Sequence, residues 1–188
     1  MRFSAAPLYE KLKQDGELNI GPISGDRNAS SFEMECDDVL ALVVSGDLSH
    51  NPHESQTSMI VGFEYGHHIK GVSIPDKSAY IYGWFSGVVG RMVPEGFGKP
   101  ESEEYLQFLL DDLLEKGYSD RITDSSESCL TLGFSSRELM VEVQDKSLVV
   151  IAVKSEIKFG LPFHLNSQST SWVLGMLDGL TGYESVDE

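Results

Sequence analysis

Hydrophobic positions along the chain change period several times. Ala5, Leu8, Tyr9 and Leu12 recur at helical spacing and Gly16 falls where a C-terminal turn belongs, which predicts a first helix capped by Ser4, with Pro7 tolerated in its first turn. Residues 18–31 carry Gly21-Pro22 and Gly25-Asp26 with little periodicity and read as a loop. From Phe32 the period becomes two. Phe32, Met34 and Cys36 fall on one side and Glu33, Glu35 and Asp37 on the other, as in a half-buried strand. The run Val39-Leu40-Ala41-Leu42-Val43-Val44 is apolar on both sides, so it is expected to be a central strand covered on both faces, with Asp37-Asp38 as the turn before it.

Residues 45–58 read as a long polar loop, and 59–65 and 69–74 as two strands joined around Gly66-His67-His68. Residues 76–92 are apolar nearly all round, which in a helix means burial. The Pro- and Gly-rich residues 94–100 form the best boundary.

Pro100 opens the clearest helix. It has Glu101, Glu103 and Glu104 in its first turn, Leu106, Leu109, Leu110, Leu113 and Leu114 on one stripe, and Lys116 and Gly117 at its end. Asp111, Asp112 and Glu115 fall off that stripe. After a polar stretch at 119–128, strands are expected at 129–134, 139–143 and 148–153, then an alternating run through Ile157, Phe159, Leu161 and Phe163, and a helix over 170–180 before a polar tail.

Residues 77–88 can be laid over 169–180 without a gap. Gly83 and Gly87 then match Gly175 and Gly179, Tyr80 matches Trp172, and Ile81 matches Val173. The order helix, strands, helix thus occurs twice. The expected fold is α+β, with two helix–strands–helix halves, 1–95 and 96–188, packed together, and mainly antiparallel sheet covered by helices. A duplicated unit explains the order; the two glycines and generic apolar matches leave chance similarity open. The Gly-x-x-x-Gly spacing allows close approach to a sheet or to the sister helix.

Charge narrows the functional classes. The 188 residues include 30 acidic and 14 basic side chains, a formal net charge of −16. Such a surface repels nucleic-acid phosphates and anionic lipid, and favours a basic protein partner. No apolar stretch approaches the roughly 20 residues needed to span a bilayer, and no secretory signal opens the chain, so the expected location is the cytoplasm. Cys36 and Cys129 are too far apart and too few for a disulfide scaffold or zinc finger. His50, His53, His67 and His68 have metal-ligand chemistry at a spacing that fits no standard site, so no bound metal is expected.

A Gly-x-Ser-x-Gly elbow is absent, and the glycines of residues 83–90 do not form a phosphate loop; no cofactor is expected. The remaining candidate surface is the acidic face formed by Glu103, Glu104, Asp111, Asp112 and Glu115. Its bland reading is a solvated helix face, and its functional reading is electrostatic recognition of a positively charged protein. These features favour a non-catalytic binding module, such as an acidic inhibitor, immunity protein or chaperone. The alternatives are an enzyme with an unmarked site around residues 50–68, or an assembly protein using Tyr82 and Trp84 if their helix is not buried. The oligomeric state is left open.

Overall fold

In a computed structural model, residues 5–46, 58–62, 67–69, 76–93, 105–134, 137–144, 147–152, 157–160 and 167–181 are described. Helix α1 (Ala6–Asp15) is capped one residue later than expected. Its N-cap is Ala5, which makes no side-chain capping bond, and its backbone N–H donates instead to Ser30 Oγ at 2.8 Å. Gly16 closes the helix at φ 72°, a left-handed conformation that glycine adopts without steric cost. Tyr9 and Leu12 form the buried side of α1, and the Tyr9 ring meets Phe32 edge-on at 5.2 Å.

The predicted alternating strand is β3, and it is longer than expected. Strands β1 (Asn19–Ile20) and β2 (Ser24–Gly25) both pair with β3 (Ala29–Cys36). Much of the presumed loop 18–31 is therefore hydrogen-bonded sheet. Along β3, Ser30, Phe32, Met34 and Cys36 point inward while Ala29, Glu33 and Glu35 are exposed. Strand β4 (Val39–Gly46) follows after the two-residue turn Asp37-Asp38, with Asp37 at φ 54°, a region that Asp tolerates better than most residues. Strands β5 (Ser58–Gly62) and β6 (His67–Ile69) complete an antiparallel sheet ordered β1-β3-β4-β5-β6. His67 and His68 lie within β6, opposite Val61 and Ile60, and are thus strand residues rather than the expected hairpin turn, while Gly66 lies outside the described residues.

Strand β4 is central, as its apolar run predicts, but it is not covered on both sides. Ala41 and Val43 are buried, whereas Leu40 is 51% and Leu42 40% exposed. Apolarity on both faces shows that a strand tolerates two covers. Whether a second cover exists depends on where other elements pack.

The chain forms two compact units, Met1–Val72 and Ser73–Glu188. In the second lie helices α2 (Lys77–Val89), α3 (Tyr105–Glu115) and α4 (Ser167–Thr181). Its antiparallel sheet is ordered β7 (Ile122–Ser125), β8 (Cys129–Phe134), β9 (Arg137–Gln144), β10 (Ser147–Ala152) and β11 (Ile157–Gly160). A 3₁₀ turn at Ser119–Arg121 leads into β7, which occupies part of the stretch expected to be polar loop. Among the described residues the fold is thus α+β, with four α-helices and two antiparallel sheets.

The two sheets begin alike. Asp26 N–H donates to Ala29 O and Ser126 N–H to Cys129 O, each at 2.7 Å. Ser24 pairs with Ser31 and Gly25 with Ser30; Asp124 pairs with Thr131 and Ser125 with Leu130.

Helix α2 is buried continuously from Ser78 through Gly87, as its unbroken apolar pattern requires. Asp76 starts it by accepting from Ser78 N–H and Ala79 N–H, and Gly90 ends it at φ 73°. It packs against α4. A β-carbon on Gly83 would strike the carbonyl of Trp172, one on Gly175 that of Tyr80, one on Gly179 that of Trp84, and one on Gly87 that of Met176. The contacts advance in the same sense along both helices, so α2 and α4 run parallel with backbones in direct contact. Hydrogen bonds join the pair at two further points, Asp76 N–H to Ser171 Oγ at 2.8 Å and Trp172 Nε1 to Val93 O at 3.0 Å. Among the described residues no helix is long and apolar enough to cross a membrane.

Candidate functional site: the outer face of α3

Helix α3 ends in a Schellman motif. Tyr118 N–H donates to Leu113 O and Gly117 N–H to Leu114 O, with Gly117 at φ 84°. Leu106, Leu109 and Leu113 form its buried stripe. At ~100° per residue, the step from Leu113 carries Leu114 off that stripe to the side of Leu110 and Gln107. Leu114 is accordingly 49% exposed rather than part of the core stripe, and Phe108 on the other flank is 39% exposed. Between them lie exposed Asp111 and Glu115. Gln107 Nε2 donates to Asp111 Oδ1 at 2.7 Å, fixing that carboxylate one turn along the helix.

Asp112 is not fully on this face. It is half-buried, and its Oδ2 is shielded from solvent without a hydrogen-bond partner among the described residues. The candidate positions Glu103 and Glu104 lie outside the described residues, as do His50 and His53. Of the expected acidic face, Asp111 and Glu115 stand side by side in solvent, accompanied by apolar Phe108 and Leu114. The helical period alone placed Leu114 in the core, and Phe108 was not singled out. A finer reading of angular position would have flagged both.

A shallow pocket of about 170 Å³ opens along the Leu110 flank of α3. Its apolar floor includes Leu106, Leu110 and Leu130, and its rim Gln107, Ser126 and Glu127. The volume suits one side chain of a partner better than a drug-sized ligand, whose pockets span about 300–1,000 Å³.

A second polar cluster, around Asp178, has a different character. The Tyr80 hydroxyl donates to Asp178 Oδ2 at 2.6 Å, and Arg121 NH1 lies 3.4 Å from Asp178 Oδ1. Burial, followed by the Asp178 charge, holds the Tyr80 phenol well above its ordinary range. Burial and then Asp178 push Tyr118 up to about 12, with Arg121 pulling the other way. Both phenols therefore stay protonated at neutral pH and are poor nucleophiles, and that of Tyr80 donates its proton to Asp178. The cluster ties the α2–α4 pair to the 3₁₀ turn that precedes β7.

Among the described residues no group of three or more His, Cys, Asp or Glu side chains is arranged to hold a metal. Cys36 is buried and Cys129 half-buried, and neither forms a disulfide. Tyr82 and Trp84, considered above for an assembly interface, are 3% and 1% exposed, so the condition for that use is not met. Comparison with known proteins gave no matching family model, no matching curated protein and no matching solved structure.

Proposed function

We propose that the protein is a non-catalytic binding module that engages a basic protein partner through the outer face of α3, in the manner of an acidic inhibitor, immunity protein or chaperone. The observation that carries this reading is the exposure of Phe108 and Leu114 around Asp111 and Glu115. Aromatic and aliphatic anchors supply binding energy once desolvated, and carboxylates beside them select for cationic neighbours and speed encounter. The net charge of −16 extends the same bias over the molecule.

A photo-crosslinking residue placed at Phe108 or Leu114 in the full chain tests the reading in the native cell. The expected product is a crosslink to a basic protein that fades when Asp111 and Glu115 are reversed to lysine. Crosslinks to acidic proteins, or crosslinks indifferent to the reversal, would sink it.

We further infer that the halves 1–95 and 96–188 are copies of one helix–strands–helix unit. The contacts Gly83–Trp172 and Tyr80–Gly175 are reciprocal under the ungapped alignment, as are Gly87–Met176 and Trp84–Gly179. The equivalent turn closures and registers at the start of each sheet support the same relation. Superposing an experimental structure's two halves checks it, and the inference fails if Gly83 and Gly175 fall at non-equivalent positions.

A further inference from the structure

The outward face of the first sheet grades from acidic to apolar across neighbouring strands. Glu33 pairs with Leu42 and Glu35 with Leu40, so both carboxylates and both leucines share one face. All four residues are exposed. Toward β1, Asn19 Nδ2 donates to Glu35 Oε2 at 3.0 Å, extending the polar side. Along β4, half-buried Val44 continues the apolar row beyond Leu42. Leu40 and Leu42 therefore form an apolar row bordered by carboxylates along its β3 edge.

We propose that this sheet face is a second docking surface, and that its occupant is an amphipathic helix of a basic protein partner with Lys or Arg along one edge of its apolar stripe. A helix laid along β4 would bury its stripe on Leu40 and Leu42 and bring that one edge over Glu33 and Glu35. Charge complementarity selects this occupant over a second copy of the chain. A two-fold interface brings each patch against itself, and stacking this face on its own copy would crowd four carboxylates into the contact. The proposal shares with the α3 reading only the premise of a basic protein partner, because it uses a different element in the other compact unit.

The probe is a synthetic helical peptide of about five turns with a leucine stripe, lysines along one edge and glutamines along the other. A matched peptide carries glutamates in place of the lysines. Binding to the full-length protein is measured by fluorescence anisotropy and located by amide chemical shifts. The lysine peptide is expected to move the resonances of β3 and β4, and Leu40→Ser or Leu42→Ser to weaken it about tenfold or more.

The combined Glu33→Lys and Glu35→Lys variant should exchange the preference to the glutamate peptide, a gain that misfolding cannot mimic. Shifts centred on α3, affinity unchanged by the leucine variants, or loss of both peptides in the charge-reversed variant would overturn the proposal. So would a concentration-dependent dimer of the free protein that Leu42→Ser dissociates, which would assign the face to a second copy. Phe108→Ser with Leu114→Ser should leave peptide binding intact. If that variant instead abolishes peptide binding while the leucine variants do not, the sheet proposal falls and the α3 reading stands.

Discussion

Helices α2 and α3 belong to the same compact unit, yet they satisfy opposite rules. Helix α2 is buried all round and meets α4 through glycines whose missing side chains admit the partner backbone. Helix α3 buries one leucine stripe and leaves Phe108, Asp111, Leu114 and Glu115 in solvent. The first contact is governed by size, where a single methyl has nowhere to go. The second is governed by hydrophobicity on one side and by almost nothing on the other, which leaves that side free to carry recognition. A position's tolerance to change therefore depends on which face it occupies more than on the helix it belongs to.

The sharpest way to break this contrast is to add one carbon to the helix pair. Gly83→Ala or Gly175→Ala is expected to lower unfolding free energy by about 3 kcal/mol or more, at or beyond the upper end of ordinary overpacking costs, because the obstruction is backbone. The alanine's better helix propensity, about 1 kcal/mol, does not offset it. Gly117→Ala at the end of α3 meets no neighbouring atom and carries only the strain of its positive φ, about 1 kcal/mol. Denaturant midpoints measure all three, and near-equal losses would erase the distinction between the helices.

Asp178→Asn comes next. Losing the charged acceptor of the Tyr80 hydroxyl is expected to cost about 1–3 kcal/mol. Removing the charge should also lower both phenol pKa values, although burial, the larger cause, keeps them above the ordinary range. In the unaltered protein, a folded pKa above the unfolded value means that the native state holds the proton more tightly. The stabilisation is present below about pH 10 and is lost as pH rises toward about 12. Tyrosinate absorbance during an alkaline titration follows the ionisation. A titration unchanged by Asp178→Asn would show that the carboxylate does not govern the phenols.

The smallest stability effects belong to the outer face of α3. Asp111→Lys and Glu115→Lys should each change unfolding free energy by no more than about 0.5 kcal/mol, while slowing association with a basic partner. That slowing should shrink as salt shortens the Debye length from about 10 Å at 0.1 M to about 3 Å at 1 M. Asp112 is left unaltered in this test because its Oδ2 is shielded from solvent.

Much of the architecture was legible because period and punctuation agree. The unbroken apolar run of 76–92 meant burial, and α2 is buried from Ser78 through Gly87. Gly16 and Gly117 marked helix ends because only the left-handed conformation closes those turns cheaply. Strands β1, β2 and β7 were hidden because each is short and held by backbone pairing with a longer neighbour, which polar side chains do not reveal. Leu40 and Leu42 misled because strand apolarity records compatibility with burial, while the cover is a tertiary matter. At the candidate site, composition pointed to Asp111 and Glu115, but the exposure of the flanking apolar Phe108 and Leu114 emerged only from their rotation about the α3 axis.

The α2–α4 contact also has a consequence for counting. Two parallel glycine helices from separate chains would meet only by bimolecular collision, and dilution would part them. Joined by one polypeptide they meet intramolecularly, whatever the protein concentration. A symmetric dimer also displays every surface twice, whereas one chain holding both helices displays each surface once. The leucine row of β4 and the Phe108–Leu114 face of α3 thus each occur once per chain.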